Sequence, residues 1–303
     1  MTGLAAASLA TTGHAQGQDG TRAERNAQII GALLPGRFDN VNQVYFAKRL
    51  EDVGDQHHQR THIEVMKPSE NGLVSFDVRR FDSEGGLTGS DQFAVTLSPE
   101  SDGRSVRMRF LVEESGALQP LDGCDMLWRL EAGQYRAKRE GNACASDKKY
   151  LPTEIQLSDD DMWWSTSDQP ATPIALERAR SFSCYIDVPG VGGGRDIPYQ
   201  RYEIPDIHDK GGQSWVTLQD GSELGVRLTN VRWPMNNLDG IFTRHSFVVY
   251  LSERSGGETR EVAYSWTYPD AQRIGMNVKT ALVNCFMLNN EEIEPFFREE
   301  PRL

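Results

Sequence analysis

Leu73-Val74-Ser75-Phe76-Asp77-Val78-Arg79 alternates apolar and polar side chains, and Ser105-Val106-Arg107-Met108-Arg109-Phe110-Leu111-Val112 does the same. In an extended strand, successive side chains point to opposite faces. Val74, Phe76 and Val78 therefore share one face of the first run, and Arg107 and Arg109 share one face of the second. Working outward, strand-like runs recur at residues 62–65, 92–97, 126–130, 134–139, 154–157 and 162–165. Turn signals separate them: Ser69-Glu70-Asn71-Gly72, Gly85-Gly86, Ser101-Asp102-Gly103 and Glu131-Ala132-Gly133. A helical apolar spacing occupies residues 23–34 and stops at Pro35-Gly36, a strong terminator. One short helix followed by many short strands, with no second long helix, indicates an up-and-down antiparallel barrel rather than a βαβ sheet.

After a Pro-containing polar linker at residues 168–173, a second all-β stretch begins. Its strands are expected at residues 182–188, 214–218, 224–228, 246–251, 261–266 and 280–286, with hairpin turns at Asp220-Gly221 and Gly256-Gly257. Gly190 to Gly194 form a glycine-rich loop without the Lys-Ser/Thr ending of a phosphate loop. The expected domains are residues 24–170 for the barrel and 174–292 for the second unit.

The chain of 303 residues carries a formal charge of −12. No Lys/Arg stripe interrupts that excess, which argues against nucleic acid and against an anionic membrane surface. No apolar run is long enough to span a bilayer. Residues 1–15 are small and apolar and close on Gly13-His14-Ala15, small residues suited to signal peptidase. They read as a signal remnant, and the protein as exported to the periplasm or the cell exterior. Cys124, Cys144, Cys184 and Cys285 form an even set, which in an exported chain reads as disulfides. Four cysteines allow three connectivities. Pairing within each domain selects Cys124–Cys144 and Cys184–Cys285. The shorter loop is then worth about 3 kcal/mol in the chain-entropy model.

Other clusters read as structural. His58 and His62 would meet only on a helix, and the residues that follow are strand-like, so no metal site is expected. Asp159-Asp160-Asp161 lacks the alternating ligands and glycine bend of a calcium loop and reads as a charged turn. Phe38, Tyr45, Phe46, Phe76 and Trp128 read as core.

A sparse framework lies across the first half: Gly36-Arg37-Phe38-Asp39-Asn40-Val41-Asn42-Gln43, then Leu121-Asp122-Gly123-Cys124-Asp125, Gly141-Asn142-Ala143-Cys144, Tyr150 and Thr153-Glu154. In order and spacing it resembles the CpcT/CpeT family of phycobilin lyases over about residues 24–180. The resemblance implies a lipocalin/calycin-like antiparallel β-barrel with an N-terminal helix. It implies an open-chain tetrapyrrole as ligand, no permanently bound cofactor, and a client protein whose cysteine receives the chromophore. The family's aromatic-Arg-x-Arg run falls on Phe76-Asp77-Val78-Arg79, with an acid in place of the first Arg. The implied roles are ligand contact by Phe76, a propionate anchor at Arg79, and proton handling by Glu64 or Asp168. Arg107 and Arg109 supply a further anion site at the barrel mouth.

Three readings follow. The first is a chromophore lyase that holds a tetrapyrrole in its barrel and delivers it to a client cysteine. The alternative is a non-catalytic exported binding protein that keeps the barrel for another small apolar ligand or packs it solid. Beside these two stands a third, an envelope interaction protein whose second domain carries the function.

Overall fold

The computed structural model describes residues 21–49, 58–83, 85–141, 143–144, 150–167, 172–190, 197–237 and 240–288. The expected signal remnant at residues 1–15, most of the glycine-rich loop and Asp168 lie outside the described residues. No described helix is long and apolar enough to cross a membrane.

The chain opens with α1 (Arg22–Leu33), whose first turn is closed by a capping box. Thr21 accepts from the Glu24 N–H at 3.2 Å, and the Glu24 carboxylate accepts from the Thr21 N–H at 2.6 Å. Both are orphan donors that a helix start must satisfy. The helix buries Ala23, Asn26 and Ile30 on one side. Next come β1 (Gly36–Asp39), α2 (Val41–Arg49), β2 (Arg60–Val65), β3 (Val74–Phe81), β4 (Leu87–Pro99), β5 (Val106–Glu114) and β6 (Ala117–Pro120). The series continues with β7 (Met126–Glu131), β8 (Gln134–Arg139), β9 (Glu154–Leu157), β10 (Asp161–Ser165) and β11 (Ile174–Ala179).

These strands pair in the order β4-β3-β2-β1-β11-β10-β9-β8-β7-β5, and β4 also pairs with β5. The ring of ten antiparallel strands is closed, so it has no open edge. β6 hangs on the far half of β5 as an exposed flap. The expected all-β, lipocalin-like barrel with an N-terminal helix is the fold observed. Several elements differ from the expectation, and β1 and β6 were not among the expected strands. α2 follows β1, where no helix was expected. β11, placed by the reading beyond the domain boundary, is a barrel strand between β1 and β10. Its Leu176 is fully buried, and without it the ring would stay open.

The alternation predicted for β3 and β5 holds. Val74, Phe76, Val78, Val106, Met108 and Phe110 are buried and join one core with Trp128, Trp164 and Ile30. Aromatic rings fill the centre: Phe76 stacks on Phe93 at 4.9 Å, and Phe93 lies 5.5 Å from Phe110 and 6.5 Å from Trp164. No more than 4% of the surface of Phe76, Phe93, Phe110, Trp128 or Trp164 is accessible. This barrel is a packed core at that level, as small barrels can be.

The second unit contains β12 (Ser181–Val188), β13 (Gln200–His208), β14 (Lys210–Thr217) and β15 (Glu223–Asn237). It ends with β16 (Gly240–Ser255), β17 (Glu258–Thr267), β18 (Arg273–Val278) and β19 (Ala281–Met287). Two antiparallel sheets result, β13-β12-β19-β18 and β14-β15-β16-β17. They share a core in which Phe182 of one sheet meets Phe247 of the other at 4.9 Å. The unit is a β-sandwich. β13 and β18 were not anticipated from the sequence.

Both disulfides form as expected. Cys184 and Cys285 are direct partners across β12 and β19, the first and last strands of the sandwich. Cys124–Cys144 ties the turn before β7 to the segment after β8. Gly123 makes this turn possible: its φ is 73°, and a Cβ there would meet the Ala143 backbone at 2.8 Å.

Candidate functional site

The residues that carried the family resemblance hold the barrel together. Asn40 accepts from the Thr61 N–H at 2.7 Å and donates to the Gln59 carbonyl at 3.1 Å. Gln43 accepts from the Ala175 N–H at 3.0 Å and donates to the Pro173 carbonyl at 2.9 Å. That side chain fastens α2 to the start of β11, the strand that completes the ring. Phe38 is buried beneath the Arg178 guanidinium, 4.4 Å from its centroid. Arg178 in turn donates to the carbonyls of Pro35 at 2.7 Å and Leu33 at 2.5 Å, behind α1.

Of the residues expected to line a ligand pocket, only Phe76 faces inward. Arg79 has the opposite parity, so it lies on the outer wall, where it pairs with Asp77. Arg107 and Arg109 alternate with buried Val106, Met108 and Phe110 and also point out. Arg107 is held by Glu100 at 2.5 Å, Glu140 at 2.6 Å and Asp125 at 3.3 Å, and Arg109 lies 3.6 Å from Asp125. These three arginines therefore do not meet in the barrel. The expected propionate anchor and mouth anion site are corrected to surface ion pairs. On β3 the guanidinium of inner parity is Arg80, two residues beyond Val78, paired with Asp91 of β4 at 2.6 Å; Arg139 of β8 and Arg178 of β11 also share the parity of buried neighbours and donate to backbone carbonyls. Counting by two from Phe76 identifies Arg80 in the sequence, and motif alignment passes over it.

Glu64 also faces out, and it lies in the seam where the sandwich meets the barrel. There Arg37 bridges Glu64 at 3.0 Å and Asp206 of β13 at 2.5 Å, and it reaches Ser181 at 3.2 Å. The hydrogen bond from Arg37 holds the Asp206 carboxyl below the usual carboxylate range. One residue row further, Asp39 of β1 and His62 of β2 stand side by side. The Asp39 carboxylate accepts from the Val41 N–H at 2.8 Å, from Arg60 at 3.0 Å and from His62 Nδ1 at 3.2 Å. Burial alone would push Asp39 up, but His62 and Arg60 outweigh it and hold the carboxyl low. Arg60 also donates to the carbonyls of Lys210 at 3.0 Å and Gly211 at 3.2 Å.

His208, the last residue of β13, stacks on His62 with ring centroids 4.7 Å apart. Burial, followed by the charge of His62, pushes His208 down to about 3, so its imidazole is neutral at neutral pH. Its Nδ1 accepts from the Lys210 N–H at 3.3 Å. Glu177 of β11 completes the row, meeting Lys210 at 2.5 Å, Arg232 at 3.2 Å and Asn42 at 2.9 Å. Two open clefts of about 540 and 560 Å³ flank the seam. In the first, Asp161 is pushed up by burial and by the nearby charges of Glu177 and Asp160.

Asp39, His62 and His208 are a group of metal-type donors whose atoms lie within 4.8 Å of one another. Bonds of about 2.0–2.2 Å to one ion would require them to close in. The Asp39 oxygens are already engaged by N–H donors, and Arg60 brings a full positive charge to the same carboxylate. The arrangement serves a different purpose: it neutralises a buried carboxylate where the two units join. Sequence reasoning missed this seam because its partners lie on strands more than a hundred residues apart. No protein-family model and no curated protein sequence matches the chain.

Proposed function

We propose that this chain is a non-catalytic binding protein of an oxidising, extracytosolic compartment, in which a filled barrel serves as scaffold and the sandwich carries recognition. The observation that supports this most is the direction of the side chains. The centre of the barrel is packed with aromatic and aliphatic side chains, and Glu64, Arg79, Arg107 and Arg109 are engaged in ion pairs on the outer wall. The seam joins the sandwich to that wall through paired charges. The two disulfides support an exported location.

The lyase reading keeps the support of the framework residues, which hold a shape rather than a reacting group. Native mass spectrometry of protein purified from its own host separates the two readings. The proposal predicts a chain without a retained tetrapyrrole. A stoichiometric bilin, lost when Phe76→Trp further fills the barrel, would replace the proposal with the lyase.

A further inference from the structure

The sandwich also turns a row of aromatic rings to solvent. Tyr264 and Trp266 stand at alternate positions of β17, and Tyr268 follows just past its end. They are 61%, 53% and 79% exposed. Alternate residues on a strand point the same way, about 6.6 Å apart. Cross-strand register places Arg227 and Tyr250 beside Tyr264 and puts Trp215, opposite Gly225, on the same face. The Tyr250 ring lies 6.0 Å from that of Tyr264. Trp215 lies flat on β15 because Gly225 has no side chain, and a Cβ there would meet the ring at 2.7 Å. Guanidinium groups cover parts of these rings: Arg227 over Tyr250 at 4.0 Å, Arg254 over Trp215 at 4.1 Å and Arg244 over Trp266 at 4.4 Å. Exposed rings concentrated on one sheet mark a recognition surface.

The charges on this face indicate what it suits. Two of these three guanidinium groups are balanced, Arg227 by Glu261 at 3.5 Å and Arg254 by Glu223 at 3.0 Å, so the face carries only a small net positive charge. The whole chain, at −12, repels anionic polymers. Strand addition by another polypeptide is opposed at the β17 edge by a register shift beside Leu251/Ser252 and by Glu258, Arg260 and Glu261. Flat rings interleaved with paired arginines and carboxylates suit a neutral, polyhydroxylated chain. The C–H face of a sugar stacks on a ring, and its hydroxyls take hydrogen bonds from the guanidinium groups and give them to the carboxylates.

We propose that the β14–β17 face binds a neutral glycan chain along the Tyr264–Trp266–Tyr268 row; this rests on the reading that the sandwich carries recognition. The test is affinity electrophoresis of the full chain in gels containing soluble β-glucan, xylan or glycol chitin, with dextran sulfate as the anionic control. At least one neutral polymer should retard the protein and the anionic one should not. Trp266→Ala should weaken retardation about tenfold, and Trp266→Phe should restore most of it, with unchanged far-ultraviolet circular dichroism in both. No retardation by any of the three neutral polymers, or retardation indifferent to Trp266→Ala and Tyr264→Ala, overturns the glycan assignment. A host protein that co-purifies with the chain and is lost with Trp266→Ala would also overturn it, while leaving the recognition reading standing. A ligand displaced by Phe76→Trp but not by Trp266→Ala would overturn both.

Discussion

The barrel and the sandwich handle the same material in opposite ways. The barrel closes its sheet on itself, puts most of its aromatic rings inside, leaving Trp163 outside, and lines its outer wall with ion pairs. The sandwich leaves its sheets open, holds them face to face, and puts Tyr264, Trp266 and Tyr268 outside. Closure removes edges without any need for a covalent tie across the ring, and the barrel's disulfide closes only a 20-residue separation near one end. The sandwich disulfide spans 101 residues and joins the unit's first and last strands. The contrast indicates that the barrel is the self-sufficient part and that the sandwich depends on its staple and on the seam.

The largest effect expected from this contrast is on the sandwich. The Cys184→Ser/Cys285→Ser double variant should lose about 4.7 kcal/mol in the chain-entropy model. Denaturant unfolding followed by Trp215 and Trp266 fluorescence should then show the sandwich melting before the barrel. Equal loss in both units would break the comparison. Trp164→Ala should cost about 3–5 kcal/mol, because the ring is fully buried against Phe76 and Phe93. A cost under 1 kcal/mol by chemical denaturation would mean that the barrel centre is slack.

The seam supplies the next effect. His208 is pushed down from 6.5 to about 3 in the folded chain. Its contribution is therefore full above pH 6.5 and is lost as pH falls from there toward 3. At pH 5 the loss is about 2 kcal/mol, and His208→Gln should flatten that part of the stability profile. A profile unchanged by the substitution would show that His208 is not buried neutral. Arg79→Ala should be the mildest, within about 0.5 kcal/mol, because its pair with Asp77 sits on the outer wall. A loss above 2 kcal/mol by the same denaturant assay would restore Arg79 as a structural or pocket residue.

Much of the barrel was legible because period-two runs such as residues 74–78 and 106–112 state which face is buried, and the turns between them are glycine-marked. The cysteine pairing was legible because pairing within each unit left one choice. β11 was not, since it begins next to Pro173 and owes its place to Gln43 on a distant element. α2 was hidden for a similar reason: Val44, Tyr45 and Phe46 favour strands, and the helix is set by the capping of Asp39 and Asn40 and by bonds from Asn42 and Gln43. The inward position of Arg80 was legible by parity, but the motif pointed to Arg79. The seam was invisible, because Asp39, His62 and His208 meet only after two units have folded and docked.

The central claim is that the barrel interior is occupied by its own side chains. Titration of the purified chain with phycocyanobilin, followed by visible absorption, tests it most directly. A free-pigment spectrum at every ratio, with no shift to the red, is the predicted result. A saturable red shift that Trp164→Ala strengthens and Phe76→Trp removes would contradict it, because it would place the pigment among the rings that fill the centre.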